Sequence, residues 1–196
     1  MADPTDPKAT LHRYLRSCRE ALLWKLDGLD ERQVRLPHTA TGNNLLGIVK
    51  HCVHVEIGYF GVVFDRDWPT PEELVLDEIA AGDPQADWYA TEDEPSDLVL
   101  DLAARAAAFA DATIDELPLD APGKVPWWPE GQDEVVLHQV LVHVITDLAR
   151  HAGQADVIRE RIDGSVGMLP GRTNIPGETD WASYRAKLTR IANRFG

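Results

Sequence analysis

The sequence predicts an all-α protein: an antiparallel four-helix bundle with a short C-terminal extension and a last helix. Four long segments carry apolar residues at the i, i+3, i+4, i+7 spacing of amphipathic helices. One long connection, residues 65–95, follows the second of these segments and supplies the crossover of such a bundle. Only short pieces near residues 124–128 and 165–169 are typical of strands.

The first helix is expected to begin at Asp6–Pro7, because a capping residue followed by proline is a helix start signal. It should end near Gly28. A short acidic turn, LDERQV, and a loop rich in turn-forming residues follow. The second helix is expected to begin after Asn43 or Asn44, which are both good N-cap residues, and to run to about Val63.

The connection 65–95 is expected to be mostly loop, because it contains four prolines and several acidic residues. It has room for one short helix around Glu72–Leu76. Its tryptophans, Trp68 and Trp88, are expected to pack over a cleft. A loop of this length in a compact domain is usually functional or mobile.

The third helix is expected to have Ser96 as its N-cap. Its predicted buried face consists of Leu98, Leu102, Phe109, Thr113 and Leu117. The fourth helix begins at about Asp133 and stops at Gly164, a residue type that ends many helices. We therefore expect a bundle over residues 1–164 and an extension over residues 165–196 that packs on it.

The composition is that of a globular protein and excludes some partners. The chain has 196 residues, of which 44% are hydrophobic and 27% are charged, which favours one domain with a sizeable core. Its formal net charge is −14. An acidic surface repels phosphate backbones, and no Lys/Arg cluster counters that charge, so we expect no nucleic-acid partner.

Cysteine usage and hydropathy favour a cytoplasmic protein. Cys18 and Cys52 fall on apolar faces of predicted helices, which is typical of reduced core thiols. No uninterrupted apolar run approaches about 20 residues, so a membrane span is not expected. The N-terminal segment lacks the basic and apolar regions of a signal peptide.

The fourth helix carries His143, Asp147 and His151 at steps of four, which places them near one face. That face is otherwise apolar, and a buried polar group without a partner costs about 1–3 kcal/mol. The second helix adds His51 and His54. Two helices that each offer imidazole, one of them with a carboxylate, are a plausible divalent-metal site inside a bundle.

Asp147 and His151 can bind one ion together, since they are one helical turn apart. His51 is the best third donor because it lies at the inner edge of its helix, and His54 could replace or support it. His143 lies about 12 Å along the axis from His151, so these two cannot share one ion. It could share an ion with Asp147 or support the ligands. The alternative is a set of hydrogen-bonded core histidines with one buried acid.

Three further residues could contact a ligand. Trp127 and Trp128 could line a pocket or pack over the end of the bundle. Gln154 lies about one turn beyond His151 and could orient it or close the cleft. The chain has no Gly-rich phosphate loop, no CxxC pair and no nucleophile elbow, so no catalytic nucleophile is assigned.

Two segments, NLLGIVKHCVHVEIGYFG and VLVHVITDLARHAGQADVIRERIDG, resemble the signature helices of the DinB-like superfamily. The closer likeness is to a branch known only as a domain of unknown function. The resemblance covers roughly residues 7–164, and the tail is similar to the short extension of that branch. It implies an up-down-down-up four-helix bundle that is often a homodimer.

The resemblance also implies a divalent metal ion, zinc or nickel, bound by one histidine of the second helix and two donors one turn apart on the fourth. In this sequence those ligands are His51, Asp147 and His151. The position of Asp147 is usually His or Glu in relatives. Because aspartate is shorter, it binds a metal closer to the backbone or not at all, and His143 could then compensate.

The superfamily includes enzymes that use a small thiol, such as mycothiol-dependent maleylpyruvate isomerase and the mycothiol or bacillithiol transferases. The resemblance therefore implies a metal-dependent transferase that joins a low-molecular-weight thiol to an electrophile. From their places in the sequence, we expect Trp127, Trp128 and Gln154 to be the cofactor-binding residues. The alternative is a non-catalytic dimeric module that binds a metal or a ligand. An open coordination position would favour the enzyme, and a fourth protein ligand the module.

Overall fold

The computed structural model describes residues 5–196, apart from the side chain of Asp77, and this part of the chain is mainly helical. The helices are α1 (Pro7–Trp24), α2 (Glu31–Arg35), α3 (Leu45–Phe60), α4 (Leu76–Ala80), α5 (Ser96–Glu116), α6 (Leu137–Asp163) and α7 (Trp181–Ala192). Single 3₁₀ turns lie at Val62–Phe64, Pro71–Glu73 and Ala86–Trp88. Two short strands, β1 (Pro122–Lys124) and β2 (Glu134–Val136), pair antiparallel. The predicted all-α class agrees with this content, with one small hairpin added.

The chain divides into a first compact unit that ends at Ser165 and a second unit, Val166–Gly196. The second unit contains α7, which begins after an N-cap Asp180 that accepts from the Ser183 N–H. The expected packing of residues 165–196 on the bundle stays a prediction. Residues 1–4 of the predicted first domain lie outside the described residues.

Three helix ends agree with their sequence signals. The side chain of Asp6 accepts from the Lys8 N–H at the start of α1. Asn44, rather than Asn43, is the N-cap of α3, and its side chain accepts from the Gly47 N–H. Gly164 ends α6 in the left-handed conformation, with φ of 80°, where a residue without a Cβ is favoured.

The segment predicted as an acidic turn forms helix α2 instead. Asp30 accepts from the Gln33 N–H, while the Gln33 side chain accepts from the Asp30 N–H, so the two residues form a capping box. The signal, Asp followed three residues later by Gln, is present in the sequence. This capping signal accounts for a helix of only five residues.

The predicted N-cap of α5 was wrong, and its predicted buried face was right at Leu102 and Thr113 but wrong at Leu98. Pro95 is the N-cap, and Ser96 lies inside the helix, where its N–H and hydroxyl both donate to Glu31. Leu98 is 46% exposed. The face that is buried consists of Val99, Leu102, Ala103, Ala106, Ala110, Thr113 and Ile114. Three of these seven residues are alanines, which a search for large apolar residues undervalues.

The predicted start of α6 was also wrong. The helix begins at Leu137, because the preceding residues Glu134–Val136 form β2 and pair with β1. The strand expected near residues 124–128 corresponds to β1, which lies slightly earlier in the chain. Its partner β2 had been predicted as part of the fourth helix. An isolated bridge joins Leu169 and Arg172, at the edge of the second expected strand segment.

Four long helices enclose the core of the first unit. Helix α1 packs on α6 and α5, and α3 packs on α5 and α6. Helix α3 is the most buried of them, with Leu45, Leu46, Ile48 and Phe60 fully enclosed.

One stretch, Leu45–Phe64, is long and apolar enough to cross a membrane, with mean hydropathy 1.3. The search for uninterrupted apolar runs missed this stretch, because Lys50 and Glu56 interrupt it. Its mean hydropathy nevertheless stays high enough for a membrane span. In the structure 72% of its most apolar 18-residue part is buried, as in the core helix of a globular protein.

Charged residues join the ends of the helices. The Arg159 guanidinium of α6 donates to the carbonyl oxygens of Lys25 (3.0 Å) and Asp27 (2.8 Å), just beyond the C-terminal end of α1. The Lys25 ammonium is buried and lies 2.7 Å from Asp156 of α6. Positive groups at a helix C-terminus offset the partial negative charge there. These contacts fix the register of α6 against α1.

Candidate metal centre

The structure brings together the three residues that the sequence proposed as metal ligands. His51 of α3 faces Asp147 and His151 of α6, and one donor atom of each residue lies within 4.8 Å of the other two. The ring centroids of His51 and His151 are 5.0 Å apart. Metal binding by this group stays a prediction, but its geometric requirement is met.

Asp147 carries the feature that best fits a cation. Its Oδ1 lies 3.5 Å from Nε2 of His151, whereas its Oδ2 is buried and has no hydrogen-bond partner among the residues that the structure describes. A buried carboxylate oxygen without a partner is costly. Two donors held about 2.1 Å from one ion in a tetrahedral arrangement lie about 3.4 Å apart. The Asp147–His151 spacing matches that value.

The hydrogen bond of His151 to Gln154 leaves the other ring nitrogen facing the site. Nδ1 of His151 donates to Oε1 of Gln154 over 2.9 Å. Burial opposes protonation of His151, but its hydrogen bonds with Asp147 and Gln154 outweigh burial and raise its pKa. The bond with His151 in turn lowers the pKa of Asp147, so that carboxyl is ionised at neutral pH. Gln154 therefore acts on His151, one of the two roles expected for it.

His51 is held by a carboxylate that sequence reasoning missed. Its Nδ1 lies 2.7 Å from Oδ2 of Asp87, in the 3₁₀ turn Ala86–Trp88. Burial raises the pKa of Asp87, but the hydrogen bond and charge of His51 outweigh it and leave that pKa lowered. The ionised carboxylate accepts from Nδ1–H, so Nε2 of His51 is left for a ligand. The only hint in the sequence was the neighbouring Trp88, expected over a cleft.

Trp88 packs on both imidazoles. Its ring stacks on His51 with centroids 3.7 Å apart and an interplanar angle of 16°. It also meets His151 edge-on at 5.3 Å. The expectation that Trp88 covers a cleft agrees with these contacts, whereas Trp68 instead packs on Phe109 of α5.

The connection that carries Asp87 is anchored to α3 at two points. Gly47 approaches the segment so closely that a Cβ there would lie 1.9 Å from the Trp88 carbonyl oxygen. The buried Lys50 ammonium lies 2.8 Å from Glu94. Arg35 of α2 donates to the carbonyl oxygens of Ala90 and Thr91, which lie between these two anchor points. These contacts hold the segment against the site.

The other two histidines that the sequence offered as ligands, His54 and His143, lie outside the ligand group. Nδ1 of His54 donates to the Lys50 carbonyl oxygen over 2.8 Å, and burial lowers its pKa. The ring of His143 packs on Tyr59, with centroids 4.8 Å apart, and on Trp128, at 5.1 Å. Neither residue is close enough to join His51, Asp147 and His151.

Trp127 and Trp128 form a cluster with the Tyr59 hydroxyl. Their Nε1 atoms donate to it over 3.4 Å and 3.0 Å. Trp128 lines a groove of about 580 Å³ that reaches Asp147, whereas Trp127 does not. The groove is also lined by His138, Gln139, Val142, His143, Thr146, Asp147 and Arg150. A groove of this size fits a small organic ligand beside the three donors.

The two cysteines do not take part in the site. Cys52 is buried and Cys18 is half-buried, and neither forms a disulfide. Burial raises the pKa of both thiols. Because the thiolate is the reactive form, these residues agree with the expected core thiols and are poor nucleophiles.

Comparisons with known proteins identify a family for most of the chain. A family model described as mycothiol-S-transferase matches residues 10–164. The fold is similar to the crystal structure of a conserved protein from Enterococcus faecalis, with a TM-score of 0.64 and 15% sequence identity. That match covers 82% of this chain and 99% of the other. No curated protein matches the chain significantly.

Proposed function

Because this chain belongs to the mycothiol-S-transferase family, a DinB-like family, we propose that it is a metal-dependent enzyme that transfers a low-molecular-weight thiol such as mycothiol to an electrophile. The observation that carries this proposal is the convergence of His51, Asp147 and His151, with a buried Asp147 oxygen that lacks a partner among the described residues. These residues would hold a divalent ion, zinc or nickel. A bound ion of this kind would lower the pKa of a coordinated thiol so that it binds as thiolate.

The number of donors favours an enzyme over a structural metal site. Within residues 5–196, apart from Asp77, the group contains His51, Asp147 and His151 and no fourth His, Cys, Asp or Glu. Three protein ligands leave a position for a substrate atom, whereas structural zinc sites usually have four. The non-catalytic module would need a further ligand from a partner or from another residue type.

The groove beside Asp147 is the proposed binding site for the thiol and the electrophile. Trp128 offers an aromatic face there, and His143 a polar edge held by Tyr59. Trp127 is half-exposed and donates to the Tyr59 hydroxyl, as Trp128 does. It is the proposed outer contact for the thiol. Gln154 would act on the thiol through His151, whose ring it orients.

The test is a transfer assay with metal-free, zinc-loaded and nickel-loaded protein, mycothiol and a chromogenic electrophile such as 1-chloro-2,4-dinitrobenzene. We expect conjugate formation only with metal, and its loss in the His51→Ala variant together with the metal. The Glu160→Ala variant, altered on the exposed face of α6 and outside the groove, is the control. A protein that binds metal but neither binds nor transfers a thiol would contradict the enzyme and favour the non-catalytic module.

Three further properties belong to this proposal. The packing of α1, α3, α5 and α6 supports the antiparallel, up-down-down-up bundle of DinB-like proteins. Reduced Cys18 and Cys52 support a cytoplasmic location. Membership of the DinB-like proteins, which are often dimeric, supports a homodimer. Light scattering tests the last point, since a mass of 21.8 kDa at all concentrations would contradict it.

A further inference from the structure

The Asp87–His51 contact is built more firmly than a surface ion pair. Both side chains are only 16% exposed, and their hydrogen bond measures 2.7 Å. The Trp88 ring lies nearly parallel to the imidazole of His51 at 3.7 Å and fixes its plane. A pair of this kind holds one ring in one orientation, whereas exposed pairs contribute little and move freely.

The bond decides which nitrogen of His51 is available. A neutral imidazole has one N–H and one lone pair, and the partner of the N–H determines which nitrogen can bind a metal. Because a carboxylate oxygen of Asp87 lies 2.7 Å from Nδ1 and accepts, the hydrogen of His51 sits on Nδ1. The lone pair is then on Nε2, which is the His51 nitrogen left for the group with Asp147 and His151, whose donor atoms lie within 4.8 Å of one another.

We propose that Asp87 is a positioning residue of the metal centre: its carboxylate fixes the tautomer and plane of His51 so that Nε2 is presented to the ion. This inference rests on the proposed function, because it assigns a partner to one of the proposed ligands. Metal-bound histidines usually donate their second N–H to such a partner, and its loss weakens metal binding about 10–100-fold.

Asp87 links the metal centre to the segment that packs over it. Asp87 belongs to the connection between α3 and α5, not to the helices that carry the ligands. Trp88, next to it, contacts His151 as well as His51. The connection is therefore part of the metal centre, and a change in its placement would alter the affinity for metal.

The experiment compares Asp87→Ala with Asp93→Ala, which removes an exposed carboxylate from the same segment. Zinc affinity is measured by competition with a chromogenic chelator, and the fold of each variant by circular dichroism. We expect a 10–100-fold loss for Asp87→Ala and a change within about twofold for Asp93→Ala, since an exposed charge is screened. Asp87→Asn keeps an acceptor for Nδ1–H, so it should recover part of the affinity.

A second measurement needs no metal. Nitrogen-15 NMR of the metal-free protein reports the tautomer of His51, which should carry its hydrogen on Nδ1 in the wild type and in Asp93→Ala. In Asp87→Ala we expect a mixture of tautomers. An unchanged tautomer, or equal zinc affinity for Asp87→Ala and Asp93→Ala, would overturn the inference. If the wild type binds no divalent ion, the proposed function fails, while the tautomer still decides the role of Asp87.

Discussion

Asp147 and His151 lie one turn apart on α6, with Oδ1 of the former 3.5 Å from Nε2 of the latter. The second oxygen of Asp147 is buried and has no partner in the described part of the chain. An ordinary ion pair in a core would satisfy both oxygens, because an unpaired buried acceptor is costly. This relationship is the one expected of a ligand pair, and it supports the proposed metal site.

Removing Asp147 should abolish the site. We expect Asp147→Ala to weaken zinc binding by more than about 100-fold, since losing a ligand exceeds the 10–100-fold cost of losing its outer partner. His143→Ala should weaken it much less, because His143 lies outside the donor group. Isothermal titration of zinc into the metal-free variants measures both. Equal losses in the two would mean that His143 compensates for a short aspartate.

Thiol binding should release a proton. A thiol that binds a metal does so as thiolate, so its apparent affinity should rise with pH while the free thiol is protonated, up to about pH 8.5. Calorimetry of a small thiol on zinc-loaded protein, in buffers of different ionisation enthalpy, gives the number of protons. Affinity that is independent of pH, or unchanged by metal removal, would contradict a thiolate at the metal.

Gly47 should be essential for the site, although it contacts no ligand. In Gly47→Ala the new Cβ would meet the Trp88 carbonyl oxygen at 1.9 Å, so the turn that carries Asp87 must move. We expect a loss of about 1–3 kcal/mol in the free energy of unfolding and weaker zinc binding.

The matched control for that prediction is Gly153→Ala on α6, where a Cβ meets nothing within 4 Å. Alanine in a helix interior should stabilise the protein by about 0.5–1 kcal/mol and leave zinc affinity unchanged. Thermal unfolding and chelator competition measure the two properties. If Gly47→Ala bound zinc normally, the connection would not be part of the metal centre.

The buried ion pair of Arg19 and Glu56 should be costly to break and cheap to replace. Arg19 donates to both carboxylate oxygens of Glu56, and both residues are buried. Glu56→Leu alone should cost about 3–5 kcal/mol in urea unfolding, because it leaves a buried charge. The double variant Arg19→Met/Glu56→Leu should recover much of that loss. A double variant no more stable than Glu56→Leu would show that Asp111, which also binds Arg19, needs the arginine.

Asp163 should contribute stability that is lost in acid. Its hydrogen bond with Arg159 lowers its pKa from 3.8 to about 2. A lowered pKa in the folded state stabilises the protein above the unfolded value, and this contribution disappears as the pH falls through that window. The difference in unfolding free energy between wild type and Asp163→Asn should therefore shrink between about pH 4 and pH 2. A constant difference would contradict the ion pair.

The sequence was sufficient to predict the three donors that converge, and Gln154 beside His151, but not the partner of His51. His51, Asp147 and His151 could be predicted because helical periodicity is local, and α3 and α6 have strong caps at Asn44 and Gly164. Asp87 could not, because it is 36 residues from His51 and lies in a segment without periodicity. Its role depends on how the connection folds back on α3.

The errors in α5 and α6 have different causes. Pattern reading favours large side chains, so it selected Leu98 and passed over the alanine stripe that is buried. It extended α6 backward to Asp133 because the strand residues Glu134–Val136 continue an apolar pattern. Pairing with β1, a contact that depends on the tertiary fold, decides that start.

The stacking of Trp88 on His51 gives the protein an optical reporter of its own. An indole 3.7 Å from an imidazole emits differently when that imidazole binds an ion, and a paramagnetic ion such as Co²⁺ or Ni²⁺ would quench it strongly. Tryptophan fluorescence should therefore follow metal loading without any attached dye, and Trp88→Phe should remove most of the signal. Stopped-flow fluorescence could then time the arrival of the ion.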